Sequence, residues 1–386
     1  MLTRRQFVLA AALAPDASAA APELWTPRAP VPESGALEDV ADVSFHIIKA
    51  HEPEADGYSF LHGVGLCWHK GMLYASFGHN KGKENTSGEE SRGRFSRDGG
   101  RTWSGVFTID DGAESPDLAV SHGVFLSHAG RLWAFMGAFH GERQRVHTRA
   151  YFLDERRNSW TFRGVALDGG FWPMQQPIQL ADGNWIMAGL HVGDDNPAAV
   201  AISHGADFTK WRQVVIPQAP GLGRMWGEST VIVYSEESRG DRVLNIARYG
   251  DQPMALVAES RDHGRTWTPS TVSNLPMVTS KPYAGTLSNG FHYLIATTTA
   301  DSARRRSPLT IALSPPGEPR FRRILRIRDS VTAAPLVDSN PGAALSYPYA
   351  LEHEEHLYVG YSNNGGRVGQ NINSAELAVI PIAALR

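Results

Sequence analysis

The sequence has a single cysteine, Cys67, among 386 residues. No intrachain disulfide can form, so stability must come from packing. Cys67 sits in an apolar run with Val64, Leu66 and Trp68 and reads as a small core residue rather than a reactive thiol. Basic charge is also not in excess. Lysine and arginine number 37 against 40 acidic residues, a net charge of -3. That balance gives no field for gathering nucleic acid or an anionic membrane surface. No apolar run is long enough for a membrane span. No close-spaced His, Cys and Asp set marks a metal centre. No cofactor is required on this reading. A structural Ca²⁺ would be compatible with the fold inferred below, although no loop spells a calcium site. Past the N-terminus there is no sustained helical stripe, and no linker or charge block divides the chain.

The first residues are an address. Arg4-Arg5 is followed by Phe7-Val8-Leu9, an alanine-rich stretch and the small residues Ala17-Ser18-Ala19. This is the layout of a twin-arginine export signal. Residues 1–22 are therefore expected to be an export signal and 23–386 a single catalytic domain, periplasmic or extracellular in a bacterium.

Glycine (38) and proline (24) are frequent, as a chain with many turns requires. One turn repeats. Ser96-Arg97-Asp98-Gly99-Gly100-Arg101-Thr102-Trp103 recurs as Ser260-Arg261-Asp262-His263-Gly264-Arg265-Thr266-Trp267. This Ser-x-Asp-x-Gly-x-Thr-Trp pattern is an Asp box and resembles the turns of sialidase-like propellers. Its parts suit a tight hairpin: a carboxylate to accept backbone N–H groups, a glycine for positive φ, and a tryptophan to close the turn. Degenerate copies lie at Asp154 to Trp160, Ser203 to Trp211 and Ser314 to Phe321. The repeat of roughly 54 residues predicts an all-β β-propeller of four-stranded blades, with seven blades expected and six also compatible. Short aromatic runs at 72–77, 131–136, 184–189, 291–296 and 356–361 fit strands at that period. The last segment should pair with the first to close the ring.

In a propeller, chemistry sits at one mouth of the central channel. Candidates are therefore polar and aromatic residues beside strand starts. They include His62, His79 and Asn80 in the first repeat, and His122 and Arg149 in the second. Trp172 and Gln176 follow, then Glu228, Arg248 and Tyr249, then Lys281 and Tyr283. The last is Ser346-Tyr347-Pro348-Tyr349. Trp172 and Tyr283 fit either the core or a sugar platform. Arg149, Arg248 and Lys281 each need an anionic partner, which is either a substrate group or a structural carboxylate.

Sialidases carry a Phe/Tyr-Arg-Ile-Pro segment, a Tyr–Glu nucleophile pair and an arginine triad. The segment has no counterpart here, and Glu228 with Tyr249 or Tyr283 fits the pair poorly. Runs such as His62-Gly-Val-Gly-Leu-Cys-Trp-His, Ser121-His-Gly-Val-Phe, Gly170-Phe-Trp-Pro-Met-Gln, Arg224-Met-Trp-Gly-Glu-Ser-Thr and Ser280-Lys-Pro-Tyr resemble a second family. Its members are seven-bladed propellers that release terminal L-rhamnose α-1,4-linked to D-glucuronate, classed both as lyases and as rhamnosidases. The resemblance implies an arabinogalactan-type polysaccharide as partner and a catalytic histidine in the first blade, for which His62 is chosen; a monomer is expected.

No convincing pair of catalytic carboxylates is present; Glu228 and Asp251 are the nearest. The set suits β-elimination instead. His62 would be base or acid, and His79, His122 or Tyr283 would complete the proton transfer. Arg149, Arg248 and Lys281 would hold the uronate carboxylate. Asn80, Trp172, Gln176 and Tyr249 would contact the sugars. Hydrolysis of the same linkage, an exo-sialidase-like activity, and sugar binding without cleavage are the alternatives.

Overall fold

The structure is a computed structural model and describes residues 22–26, 28–236, 240–332, 334 and 337–386. The export signal expected at 1–22 lies, but for its last residue, outside the described residues.

Six antiparallel sheets form six blades. The first blade runs inside to outside through Phe60–His69, Met72–Asn80, Glu90–Ser96 and Phe107–Asp110. The second uses Leu118–His128, Arg131–His140, Gln144–Asp154 and Ser159–Leu167. In the third the inner strand is split into Phe171–Pro173 and Ile178–Gln179, followed by Trp185–His191, Ala198–His204 and Asp207–Val215. The fourth comprises Ser229–Glu236, Gly240–Arg248, Met254–Ser260 and Thr271–Pro276. The fifth comprises Tyr283–Thr286, His292–Ala296, Leu309–Ser314 and Arg323–Arg328. The sixth takes Leu345–His353, His356–Asn363 and Ser374–Pro381 from the C-terminal end and Ser44–Lys49 from the N-terminal end. Ser44 pairs with Val379, so the ring closes between its two termini as expected.

The count is six, the lower of the two that the repeat allowed. The residues that suggested a seventh are spent elsewhere. Glu38–Asp39 adds a fifth, parallel strand to the fifth blade. Leu24 and Trp25 strap the outside of the ring, and both backbone N–H groups donate to Asn274 Oδ1. The long connection between Arg328 and Leu345 takes the rest.

The two Asp boxes have the same bonding. In the first, Asp98 Oδ1 accepts from Thr102 N at 2.9 Å, Oδ2 from Thr102 Oγ1 at 2.6 Å, and Ser96 Oγ accepts from Gly100 N at 2.8 Å. Trp103 Nε1 closes the turn on Gly100 O at 3.0 Å. The second repeats these bonds with Asp262, Thr266, Ser260, Gly264 and Trp267. Hydrogen bonds from Thr102 and Ser96 hold the Asp98 carboxyl down to about 2. Both boxes and all three degenerate copies join the third strand of a blade to its fourth. The sixth blade has no such turn, because its fourth strand comes from the other end of the chain. Asp262→Ala should cost about 1 kcal/mol, the scale of a partly solvated charge-assisted bond. Chemical denaturation of the variant measures it.

Candidate functional site

The inner strand of each blade starts at one mouth of the channel, and the loop between second and third strands returns there. The Asp boxes occupy the other face. At this mouth lies a cavity of about 260 Å³, walled in part by His62, His122, Trp172, Glu228, Arg248 and Tyr347.

Three of these residues are delivered by irregularities in inner strands. The pairing register shifts between His62 and Gly65 in the first blade, between Val120 and Gly123 in the second, and between Ser346 and Tyr349 in the sixth. A bulge re-aims side chains, and here it turns His62, His122 and Tyr347 into the channel. Gly63 has φ +72°, and a Cβ there would lie 2.2 Å from the His122 ring. Only glycine permits the two imidazoles to sit side by side. The His62 and Tyr347 rings are 3.8 Å apart between centroids, and His122 lies about 6 Å from both.

Tyr347 and Trp226 both line the cavity with positive φ, +54° and +57°. Aromatic residues seldom adopt that conformation, and such strain concentrates at functional sites.

A buried hydrogen-bonded couple in the cavity joins the fourth and sixth blades. The Tyr347 hydroxyl donates to Glu228 Oε1. Arg248 Nη1 donates to Glu228 Oε2 at 2.6 Å and lies 3.4 Å from the Tyr347 oxygen. Arg248 Nε is fixed by Thr279 Oγ1 at 3.0 Å. Burial alone would raise the Glu228 carboxyl, but Arg248, the Tyr347 hydroxyl and Arg306 together hold the group below its ordinary value. The same burial, with Glu228 beside it, pushes the Tyr347 hydroxyl well up. Arg306 reaches the cavity from the fifth blade, anchored through Nη2 to Thr279 O at 3.0 Å. Two guanidiniums therefore meet one buried Tyr–Glu couple.

A second carboxylate enters from the loop between Asn80 and Glu90. Glu84 lines the cavity and accepts from Gln370 Nε2. Burial, reinforced by Glu228, raises its carboxyl. Asn80 organises this loop from below, donating to Lys83 O and Thr86 Oγ1 at 2.7 and 2.8 Å.

Of the residues expected from sequence, His62, His122, Trp172 and Arg248 come together here. Trp172 Nε1 donates to His122 O at 3.0 Å. Burial drives His62 well below the usual imidazole value and His122 to about 4, so both are neutral at neutral pH. Neither imidazole is therefore poised to titrate near neutrality. Lys281 is buried beneath the cavity, donating to Pro348 O at 2.7 Å, and its ammonium is pulled down to about 7.

The others lie elsewhere. His79 stacks on Tyr58 at 4.1 Å. Arg149 is held by Glu114 and Asp110 on the outer part of the second blade, the structural partner its charge required. Tyr249 is packed in the core between the third and fourth blades. Tyr283 packs on Tyr349, ring centroids 4.5 Å apart. Gln176 is half-buried, while its neighbour Gln175 is inside and bonds Val231 and Ala284. Asp251 is outside the cavity lining, and the carboxylate facing Glu228 is Glu84.

Sequence reading missed Glu84 and Arg306, which lie in loops with no motif. The tyrosine hydrogen-bonded to Glu228 is Tyr347, not Tyr249 or Tyr283. Among the described residues, no group of three His, Cys, Asp or Glu side chains is arranged to hold a metal ion, and no helix is long and apolar enough to cross a membrane.

The model of the BNR repeat-like domain matches residues 92–359. Several solved structures share the fold. A Hadza microbial sialidase superposes with TM-score 0.65 and 14% identity over 88% of this chain and 69% of its own. The NanB sialidase from Streptococcus pneumoniae gives 0.63 and 11% over 88% and 71%. A protein of unknown function from Dyadobacter fermentans gives 0.61 and 14% over 89% and 100%. No curated protein matches the sequence.

Proposed function

The chain belongs to the BNR repeat-like domain family, and from the geometry of its cavity we propose an exo-acting glycosidase that removes a terminal acidic sugar of the 2-keto acid type. The observation that carries this reading is the buried Tyr347–Glu228–Arg248 constellation with Arg306 beside it. Arg248 and Arg306, two of the three arginines lining this small cavity, suit a carboxylate, which Arg binds in a fixed fork. If that carboxylate sits on the anomeric carbon, an anionic nucleophile is repelled by it. A neutral tyrosine avoids the repulsion and is activated by an adjacent base, here Glu228. A substrate carboxylate drawing on Arg248 would also free Glu228 to accept the tyrosine proton.

In the first step the Tyr347 oxygen bonds to the anomeric carbon, its proton passes to Glu228, and the glycosidic bond breaks. Glu84 protonates the departing oxygen. Water then cleaves the tyrosyl–sugar bond, with Glu84 taking the water's proton and Glu228 returning its own to Tyr347. The raised Glu84 carboxyl keeps the acid form available at higher pH than an ordinary carboxyl would. Activity on natural glycosides should therefore fall as pH rises through that raised value. Glu84→Gln should lose natural glycosides but still release a burst of 4-methylumbelliferone from a 4-methylumbelliferyl glycoside, whose leaving group needs no proton, before the slowed second step limits turnover. Comparing burst amplitudes and pH–rate profiles for the two substrates checks this. Arg306→Gln should raise KM roughly 10- to 100-fold with a smaller change in kcat, as loss of a charge-assisted contact predicts.

A second reading keeps the rhamnose–glucuronate linkage, with the arginines on a uronate and β-elimination in place of substitution. The contact between His62 and Tyr347 favours it, since imidazole and phenol can share a proton transfer. Against it, burial makes His62 a weak base.

The test is a panel of 4-methylumbelliferyl glycosides of N-acetylneuraminic acid and of other acidic sugars, with rhamnose-capped arabinogalactan alongside. Release from the 2-keto acid glycosides alone supports the first reading. Rhamnose release with absorbance near ~235 nm, the band of an unsaturated uronate, replaces it with the second. Binding of these sugars without cleavage contradicts both and leaves a sugar-binding propeller.

A further inference from the structure

A larger groove of about 670 Å³ lies between the second and third blades and adjoins the catalytic cavity, sharing Arg143 with it. Arg143 sits at the tip of the turn between Arg131–His140 and Gln144–Asp154, with φ +59°. Its guanidinium lies 5.2 Å from the Trp226 ring centroid, and Arg224 lies 4.4 Å from the same centroid. Trp226 is itself held at positive φ. With Arg248 at 6.0 Å on the cavity side, three cations are thus gathered on one indole, and Arg143 and Arg224 are the two at the junction of cavity and groove.

Neither cation is bound directly by a carboxylate there, although Glu84 and Glu89 feel the charge of Arg143, and Glu142 and Asp168 also line the groove. Arg145 pairs with Asp117 and Arg248 with Glu228, but among the described residues Arg143 and Arg224 form no ion pair. Arg143 Nε is buried without an acceptor. Arg224 is fixed by a neutral group: with the Asn196 amide turned to suit, its oxygen accepts from Arg224 Nε and Nη2 at 3.1 Å each. Asn196 is buried and itself at φ +45°. A buried amide orients a guanidinium without cancelling its charge, an arrangement that leaves room for an anion.

We propose that this groove seats the leaving-group sugar, and that this sugar carries a second carboxylate, held between Arg143 and Arg224 against Trp226. The substrate class is then an oligomer of acidic sugars rather than an acidic sugar capping a neutral glycan. The inference rests on the cavity taking the terminal acidic sugar.

The test uses full-length protein carrying Tyr347→Phe, which should bind without turning over. Calorimetry compares α-2,8-linked disialic acid with α-2,3-sialyllactose, whose leaving-group side is neutral, at low and raised salt. Disialic acid should bind about tenfold more tightly, the scale of one charge-assisted contact. The advantage should shrink with salt. Arg224→Gln should abolish it without changing the affinity for sialyllactose. Equal affinities, or a preference that survives Arg224→Gln, would overturn the acidic subsite and leave the catalytic assignment intact. Failure of both ligands to bind would overturn the two together.

Discussion

Tyr347→Phe should lower kcat by at least ~10³-fold on every glycoside while the protein stays folded and still binds substrate. The substitution removes one oxygen. That oxygen is the group Glu228 accepts from and, on the proposed mechanism, the atom that attacks. The ring, its contact with His62 and the bulge that carries it are unchanged. Glu228 keeps its bond from Arg248 at 2.6 Å, so no buried charge is left alone. A merely structural tyrosine would give a different pattern, a shifted melting temperature with turnover largely kept. The two outcomes separate in one experiment that reads kcat and thermal stability together. Replacing Glu228 is a poorer probe, because it would strand Arg248 in a buried setting and confound activity with stability.

The largest effect on stability should come from the seam between the fifth and sixth blades. Arg328, at the end of the fifth blade's fourth strand, pairs with Glu376 on the third strand of the sixth, and both side chains are fully buried. Arg328 Nη1 also donates to Tyr361 OH at 2.7 Å. Glu376 Oε1 accepts from Asn363 Nδ2 at 3.0 Å and from Asp338 N at 3.1 Å. Glu376→Ala leaves a buried guanidinium without its counter-charge. Its expected cost is about 3–5 kcal/mol, the range for breaking such a pair. A fall of about 5–10 °C in melting temperature would accompany it. The double variant Arg328→Met with Glu376→Met should recover much of that loss, because no unpaired charge remains. The seam lies next to the closure between chain ends, since Glu376 stands on the strand that pairs with Ser44–Lys49.

The repeat was legible because an Asp box needs particular atoms at fixed offsets. Asp98 and Asp262 make the same bonds 164 positions apart. Even the degenerate copy ending in Trp211 keeps the closing bond, from Nε1 to Phe208 O at 3.1 Å. The blade count was less legible, since spacing cannot tell a blade from a strap such as Leu24–Trp25 or an added strand such as Glu38–Asp39. His62 and His122 were visible as paired His-Gly-Val runs, and the bulges explain why those runs recur. Tyr347 stood in a flagged segment, but its pairing with Glu228 joins positions far apart in the chain, which no local pattern records. Arg306 and Glu84 lie in loops whose composition looks like any surface turn. Arg149 misled because a cation among aromatics reads alike whether its partner is a substrate or Glu114. The imidazoles misled in another way. Their chemistry depends on burial, and sequence does not give the depth at which His62 sits.

The most direct test of the central claim is to trap the covalent intermediate. Wild-type protein incubated with 3-fluoro-N-acetylneuraminosyl fluoride, then digested and analysed by mass spectrometry, should carry one sugar on the peptide containing Tyr347, and none in the Tyr347→Phe variant. A label on His62 or on a carboxylate, or an unlabelled protein that turns over the acidic glycoside normally, would contradict the assignment of Tyr347 as nucleophile.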